Sequence, residues 1–240
     1  MAECVVISIN PSRKKESLST SYVLHDQVLE TTDASKYLGV TISNDLSWSK
    51  HVDAVAAKAS RTVGFLRRNL SSCPTNIKAA AYTATARPVL EYASSAWDPY
   101  LKKDVQKLEQ TQRRTARFVT NNFTDKTPGV MTSTLQALKW DSLEERRERA
   151  RLVMLYKMQN KLVDVQLSQY CKPSDPRTRG VNRLHTERAD HPALHNSFFP
   201  RTLRAWNKLP TSTSSAPSLE VFRTRIGCCN SELQSIPSRA

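Results

Sequence analysis

The amino-acid sequence predicts an α+β fold, in which a small N-terminal antiparallel β-sheet is followed by a mainly α-helical bundle. Over the first forty or so residues, apolar side chains alternate within short runs, as in strands that bury one face. From Trp48 onward they recur every three or four residues, the spacing of one helix face. Glycine, a poor helix former, accounts for only 5 of 240 residues, against a usual share of about 7%.

Three short β elements are predicted before residue 47. Residues 4–9 form a strand, residues 21–31 form a hairpin around Asp26, and residues 36–42 form a further strand. In this last strand, three apolar residues share one face: Leu38, Val40 and Ile42. Gly39 interrupts the pattern, and a strand keeps a glycine mostly at a bulge, a bend or a close backbone approach. We therefore expect another chain to come close to Gly39.

Two helices are predicted after this strand, separated at Pro74. The first begins near Trp48 with Ser47 as its N-cap. Its apolar residues share one face: Trp48, Val52, Val55, Ala56, Ala59, Val63, Leu66 and Leu70. Thr75 caps the second helix. Pro88 is expected to break or kink it, because proline removes a helical hydrogen bond and clashes with the preceding turn.

Further helices are predicted over residues 102–119, 131–138 and from Ser142 to about 161. The last opens with a capping box, S-x-x-E, and the mixed-charge run ERRERAR near its start is expected to be solvated. The remaining predictions are a loop over 172–190, short helices over 202–209 and 219–226, a low-complexity linker over 211–218, and a frayed tail.

The sequence offers little support for catalysis or metal binding. It contains no G-x-S-x-G elbow, P-loop or glycine-rich phosphate turn. Glu144 and Glu145 are adjacent, but their position at a helix start explains them through the helix dipole. Four potential ligands lie at spacings that fit no common zinc site: Cys171, His185, His191 and His195. We expect neither a metal site nor a cofactor.

Cysteine usage and the N-terminus indicate an intracellular protein, nuclear or cytoplasmic. The five cysteines are scattered without a C-x-x-C pair, which favours a reducing compartment. No apolar run reaches the ~18 residues that a membrane span requires. The first ten residues lack the basic lead of a secretory signal.

The net charge of +14, from 36 basic and 22 acidic residues, favours a polyanionic partner, nucleic acid before membrane. Two predicted helices each carry a stripe of one sign. The first stripe consists of Lys50, Lys58, Arg61 and Arg68, and the second of Lys103, Lys107, Arg114 and Arg117. A charge run is commonly just a solvated face. Uninterrupted lines of cations in so basic a chain instead favour contact with a phosphate backbone.

Several aromatic residues are candidates for base stacking. The four tryptophans are better explained as core or core-edge residues: Trp48, Trp97, Trp140 and Trp206. Tyr37 is the exception, because strand alternation places it with Gly39 and Thr41, opposite the apolar face.

Five sequence blocks, in order, resemble the C-terminal part of the reverse transcriptase of LINE-like non-LTR retrotransposons, closest to the jockey and CR1 group. They are KYLGVTISNDLSWSKHVDAVAAKASRTVGFLRRNL, RPVLEYASSAWDPY, KLEQTQRRTARFV, LQALKWDSLEERRERARLVMLYK and HNSFFPRTLRAWNKLP. Any one block is weak, but their order over nearly the whole chain makes the resemblance specific.

The resemblance implies roles for these segments. In this family YLGV lies at the end of the palm, in a β-hairpin that holds the primer strand, and the following helices form a thumb that grips the template–primer duplex. It implies that Gly39 is bare so that a sugar-phosphate backbone can lie against it, flanked by Tyr37 and Thr41. The stripe from Lys50 to Arg68 then faces RNA, DNA or an RNA–DNA hybrid.

The chain also departs from the family. Such polymerases bind Mg²⁺ through two aspartates, one of them in an F/Y-A-D-D turn, and two metals clamp the reacting oxygens. No such turn is present. Glu3 stands where the family commonly has lysine, and Met1 resembles an accidental start within an older reading frame. We therefore expect no polymerase activity from this chain.

The expected organisation is a palm-end β segment over 1–46, a helical thumb-like domain over 47–167, a C-terminal region over 168–226 and a flexible tail over 227–240. The leading function is a truncated, non-catalytic portion of the reverse transcriptase that binds nucleic acid. Two alternatives stay open. One is a host-adopted helical module that binds an acidic protein, and the other is a decayed reading frame without function.

Overall fold

The computed structural model describes residues 4–9, 21–125, 127–173, 183–185 and 191–233. It has the predicted α+β composition, with short strands near the N-terminus followed by helices. The chain forms two compact units. Unit 1 comprises residues 1–93 and 97–143, and unit 2 comprises residues 94–96 and 144–240. The four ranges predicted from the sequence were assigned by function, whereas these two units are defined by packing alone. The four ranges therefore stay a prediction.

Among the described residues, the N-terminal strands form three separate pairs. β1 (Val5–Val6) pairs in parallel with β4 (Glu30–Thr31). β2 (Val23–Leu24) and β3 (Gln27–Val28) form an antiparallel hairpin whose turn residues, His25 and Asp26, have positive φ. The predicted hairpin around Asp26 is therefore confirmed.

The strand predicted over residues 36–42 is wrong in one respect, because the chain reverses direction in its middle. β5 (Ala34–Tyr37) and β6 (Val40–Ser43) are antiparallel partners joined by Leu38 and Gly39. Both turn residues have positive φ, +46° and +86°. A two-residue type I′ turn requires this conformation at both central positions, and glycine adopts it without steric cost.

Ten α-helices lie in the described residues. They are α1 (Ser49–Asn69), α2 (Thr75–Glu91), α3 (Ser94–Trp97), α4 (Lys102–Thr120), α5 (Val130–Ala137), α6 (Leu143–Gln159), α7 (Pro192–His195), α8 (Phe198–Trp206), α9 (Thr211–Ser214) and α10 (Leu219–Leu233). None combines the length and apolar content needed to cross a bilayer.

The core of unit 1 lies between α1, α2 and α4. One apolar cluster joins α1 to both other helices and includes Val63, Tyr82 and Val119. A second cluster surrounds Val52 and Trp97, and Val40 of β6 packs against it. These contacts hold α1 against α4 and fix the β5–β6 hairpin beside the first turns of α1.

The start of α1 and the course of α2 differ from their predictions. Trp48, not Ser47, is the N-cap residue of α1, although the Ser47 hydroxyl accepts a hydrogen bond from the Ser49 amide at 3.1 Å. Helix α2 continues through Pro88 to Glu91. It ends where Ala93 adopts a left-handed conformation with φ +51°, because that conformation cannot propagate a right-handed helix.

Unit 2 is built around a stack of aromatic side chains. The rings of Tyr156 and Phe222 stack with centroids 4.3 Å apart, and Trp206 lies 5.5 Å from Phe222. The Tyr156 hydroxyl donates a buried hydrogen bond to the Ala216 carbonyl at 2.7 Å. Asn207 donates to and accepts from the backbone of Leu184, which anchors β8 (Leu184–His185) beside α8.

Three predictions in unit 2 are corrected. Residues 211–218 are not a linker, because they include α9, Thr213 is buried and Ala216 belongs to the unit 2 core. Helix α10 continues past Ile226 to Leu233, into the range predicted to fray. Within the predicted loop, β7 (Lys172–Pro173) pairs with β8, and residues 174–182 and 186–190 of that loop lie outside the described residues.

The run ERRERAR is not fully solvated. Arg147 and Arg151 are buried, and neither lacks a partner. Their i, i+4 spacing places both on one face of α6. Long aliphatic stems allow arginine to be buried when its charged end has partners.

Candidate nucleic-acid interface

Helices α1 and α4 lie side by side and run in the same direction. At their N-terminal ends, the Ser49 hydroxyl donates to a carboxylate oxygen of Asp104 at 2.7 Å. One turn further, Lys107 forms an ion pair with Asp53. Near the C-terminal ends, the Arg67 guanidinium lies over the Phe123 ring, 5.7 Å from its centroid. These contacts advance together along both helices, so the two basic stripes run parallel.

The predicted cations lie on the outer faces of this helix pair. Seven of the eight are exposed: Lys50, Lys58, Arg61, Arg68, Lys103, Lys107 and Arg114. Arg117 is half-buried. At 100° per residue, Arg61 lies about 180° from Val52, on the side of α1 opposite the core. The folded protein therefore presents both stripes to solvent.

A carboxylate lies at the seam between the stripes. Asp53 binds Lys107 there, with about half of each side chain exposed. Among the eight cations of the two stripes, Lys107 is the one that forms an ion pair with a carboxylate within the described residues. Its attraction for a phosphate is reduced accordingly, because part of its field is already neutralised.

Asp104 connects the two helix starts. Its carboxylate is buried, lies in the first turn of α4 and accepts the hydrogen bond from the hydroxyl of Ser49, the first residue of α1. Parallel neighbouring helices bring two positive dipole ends together, and a buried anion between them is stabilised by both. The Ser49–Asp104 hydrogen bond thus joins the first turns of α1 and α4.

A buried cation fixes α2 to the opposite end of α4. The Lys78 ammonium donates to the Asn121 side-chain carbonyl at 2.8 Å and lies 5.2 Å from the Phe118 ring centroid. Asn121 caps α4 in a left-handed conformation. A cation near a helix C-terminus is favourable, and the aromatic face adds to this. Lys78 is therefore a structural cation, unavailable to a polynucleotide.

Tyr92 is the group that comes close to Gly39. A Cβ atom on residue 39 would lie 3.1 Å from Cε1 of Tyr92. The Tyr92 hydroxyl also donates to the Leu38 carbonyl at 3.2 Å. The turn conformation and this ring together explain why glycine stands here, so no nucleic acid is needed to account for it. Contact of Gly39 with a sugar-phosphate backbone stays a prediction.

Tyr37 and Thr41 lie on opposite faces of the hairpin, contrary to the strand prediction. Tyr37 is directly opposite Val40, and Lys36 is directly opposite Thr41. Directly opposed residues share a face, so the reversal at the turn places Tyr37 with the apolar residues of β6. Tyr37 nevertheless remains 66% exposed. It is accessible at the tip, whereas half-buried Thr41 faces the other way.

His51 attaches the hairpin to α1. The backbone amide of Thr41 donates to Nδ1 of this buried histidine at 3.1 Å. In the neutral ring the proton must then be on Nε2. The ring packs edge-on against Trp97, with centroids 4.7 Å apart. Burial, and then the charge of Lys36, lower the pKa of His51.

The described residues include all four candidate metal ligands: Cys171, His185, His191 and His195. They contain no group of three or more histidine, cysteine, aspartate or glutamate side chains placed to hold an ion. Nδ1 of His191 instead accepts a hydrogen bond from the Ala193 amide, and Cys171 is part of the unit 2 core.

Three residues at this surface were missed by pattern reasoning. His51 lies next to the apolar face of α1, and Tyr92 lies far from Gly39 in sequence, so neither gave a signal. Phe65 did give one. It lies four residues after Arg61 and three before Arg68, which places an apolar ring on the basic face.

No protein-family model, curated protein or solved structure matches this chain. The resemblance to reverse transcriptases therefore rests on the five sequence blocks.

Proposed function

We propose that this chain is the palm-end and thumb portion of a LINE-like reverse transcriptase, and that it binds a polynucleotide without catalysing polymerisation. Binding is through the phosphate backbone, along the parallel basic stripes of α1 and α4. RNA, DNA and RNA–DNA hybrids all present this backbone. The observation that carries the proposal is the exposure of both stripes on neighbouring helices that run in the same direction.

The dimensions of the α1 stripe support a phosphate contact. From Lys50 to Arg68 the helix rises roughly 27 Å at 1.5 Å per residue. One strand of a duplex covers this length with about eight nucleotides at 3.4 Å each. Several phosphates therefore come within reach of the four cations. Contacts of this kind supply affinity and orientation but little base preference.

The test is a titration of the full chain with a labelled RNA–DNA hybrid over a range of salt concentrations. The variant carries Lys50→Glu, Arg61→Glu and Arg68→Glu. A matched control carries Lys161→Glu, Lys208→Glu and Arg223→Glu, three exposed cations of unit 2 with the same charge change. We expect steep salt dependence in the wild type. The variant should reduce the slope of log K against log salt by about two to three, since each phosphate contact contributes about 0.9.

Three outcomes would contradict the proposal. They are no binding at low salt, affinity independent of salt, and equal losses in the variant and its control. If the α1 variant lost an acidic protein partner while keeping its affinity for nucleic acid, the helical interaction module would be favoured instead. In a primer-extension assay with Mg²⁺, we expect no product.

A further inference from the structure

Phe65 is an apolar side chain on the outer face of α1. Its side chain is 57% exposed. At 100° per residue it lies about 40° from Arg61 and about 140° from Val52, the centre of the buried stripe. It is therefore directed away from the unit 1 core, and packing within α1, α2 and α4 does not account for it.

Three cations share this face of α1 with Phe65. Arg61 and Arg68 lie one turn before and after Phe65, and Lys58 lies two turns before it on the same side of the helix. The Arg68 side chain lies back along the helix toward this turn, because its Nη1 atom is 3.7 Å from where a Cβ on residue 64 would stand. The side-chain amide of Asn69 donates to the backbone carbonyl of Phe65 at 2.8 Å, on the exposed side of the last turns of α1.

An exposed phenylalanine among arginines matches the chemistry of nucleic acid with unpaired bases. The cations meet phosphates, while the ring offers a flat apolar face on which a base can stack. In an intact duplex each base is stacked between adjacent bases, so no base face is free to stack on an aromatic side chain of the protein. An acidic protein could pair its carboxylates with the cations, but it lacks the planar base that every nucleotide carries and on which the ring could stack.

We infer that Phe65 stacks on an unpaired base, so that the α1 surface prefers single-stranded nucleic acid, or a junction with a single strand, to blunt duplex. This inference rests on the proposed function, because the cations must first bring a polynucleotide to α1. It adds a preference among polynucleotides that phosphate contacts alone do not provide.

The experiment measures the binding of two labelled probes by fluorescence anisotropy. One is a single-stranded DNA of about 16 nucleotides, the upper end of the site size of one OB fold. The other is the blunt duplex that this strand forms with its complement. The variants are Phe65→Ala, Phe65→Trp and the control Ile77→Ala, which removes an apolar side chain, 46% exposed, from α2. Phe65→Ala should weaken single-strand binding about five- to 150-fold, the range for losing one stacked base, and duplex binding much less. Phe65→Trp should retain the preference, and Ile77→Ala should change neither affinity.

Equal loss for both probes with Phe65→Ala, or no loss for either, would overturn the inference. So would an equal loss of binding to poly-glutamate, which would indicate an acidic protein. The triple charge reversal on α1 separates the two claims. If it weakens both probes while Phe65→Ala weakens neither, the proposed function stands and stacking fails. If the reversal has no effect on either probe, the proposed function fails. Circular dichroism of each variant checks that the fold is retained.

Discussion

At the scale of single residues, the backbone of Gly39 limits what can replace it. Its φ of +86° lies in a region that L-residues with a Cβ rarely occupy. The same Cβ would press against the Tyr92 ring, 3.1 Å away. Adding a methyl group at residue 39 is therefore unfavourable for two independent reasons. One is the left-handed backbone of the turn, and the other is the close contact with Tyr92.

Gly39→Ala should lower the free energy of unfolding by about 1–2 kcal/mol, the cost of left-handed backbone for a residue with a Cβ. Gly227 is a matched control, because it is exposed in α10 and no atom lies within 4 Å of the position that its Cβ would take. Gly227→Ala should raise the free energy of unfolding by about 0.5–1 kcal/mol. Urea unfolding followed by circular dichroism measures both. Equal stability of the two variants would contradict this account of the turn.

At the scale of elements, the hairpin and α1 are joined by a contact that depends on protonation. Nδ1 of His51 can accept the Thr41 amide hydrogen only while it carries no proton. Lys36, across the hairpin from Thr41, further disfavours a second positive charge. Protonation of His51 would therefore remove this hydrogen bond between β6 and α1.

Acid should weaken the fold through His51. Its pKa is lowered in the folded chain, so below the unfolded value of about 6.5 the unfolded chain binds a proton that the folded chain does not. The stability contribution is complete above that pH. It is lost as pH falls toward the folded pKa, with a slope of up to about 1.4 kcal/mol per pH unit.

His51→Asn keeps an acceptor near the Thr41 amide but cannot titrate. Urea unfolding between about pH 7.5 and about pH 5, which spans the histidine range, should show a smaller loss of stability in the variant than in the wild type. The difference between the two curves isolates His51 from the other histidines and the carboxylates. Parallel curves would show that His51 makes no contribution to acid sensitivity.

At the scale of the whole molecule, the net charge of +14 is the dominant electrostatic property. Like charges along α1 and α4 repel one another when no polyanion is bound, and this repulsion opposes the compact state. Asp53 and Asp104 offset part of it at the seam and at the helix starts. The exposed stripes of like charge therefore lower the stability of the fold.

Sodium chloride should therefore raise the melting temperature. Between about 10 mM and about 150 mM salt the Debye length falls from about 30 Å to about 8 Å, which screens repulsion along the stripes. The triple charge reversal on α1 should show a smaller rise, because it removes part of the repulsion. Differential scanning fluorimetry compares them. An identical rise in both proteins would assign the effect to charges outside α1.

Sequence periodicity was enough to predict the fold class, the long helices and the solvent-facing cations. α4, for example, begins at its predicted residue and ends one residue late. The reason is that a 3.6-residue repeat records which face meets the core, whatever that core contains. The same repeat places Phe65 among the arginines, so its position on the basic face also follows from sequence.

Only the tertiary structure decided what surrounds Gly39 and how the stripes are arranged. Alternation has the same period on both sides of a two-residue turn, so the pattern from Tyr37 to Ile42 could not distinguish one strand from two. Three contacts join residues that are more than fifty positions apart in the sequence: Tyr92 with Gly39, Asp53 with Lys107, and Asp104 with Ser49. Such contacts follow from packing between elements, which no local repeat encodes.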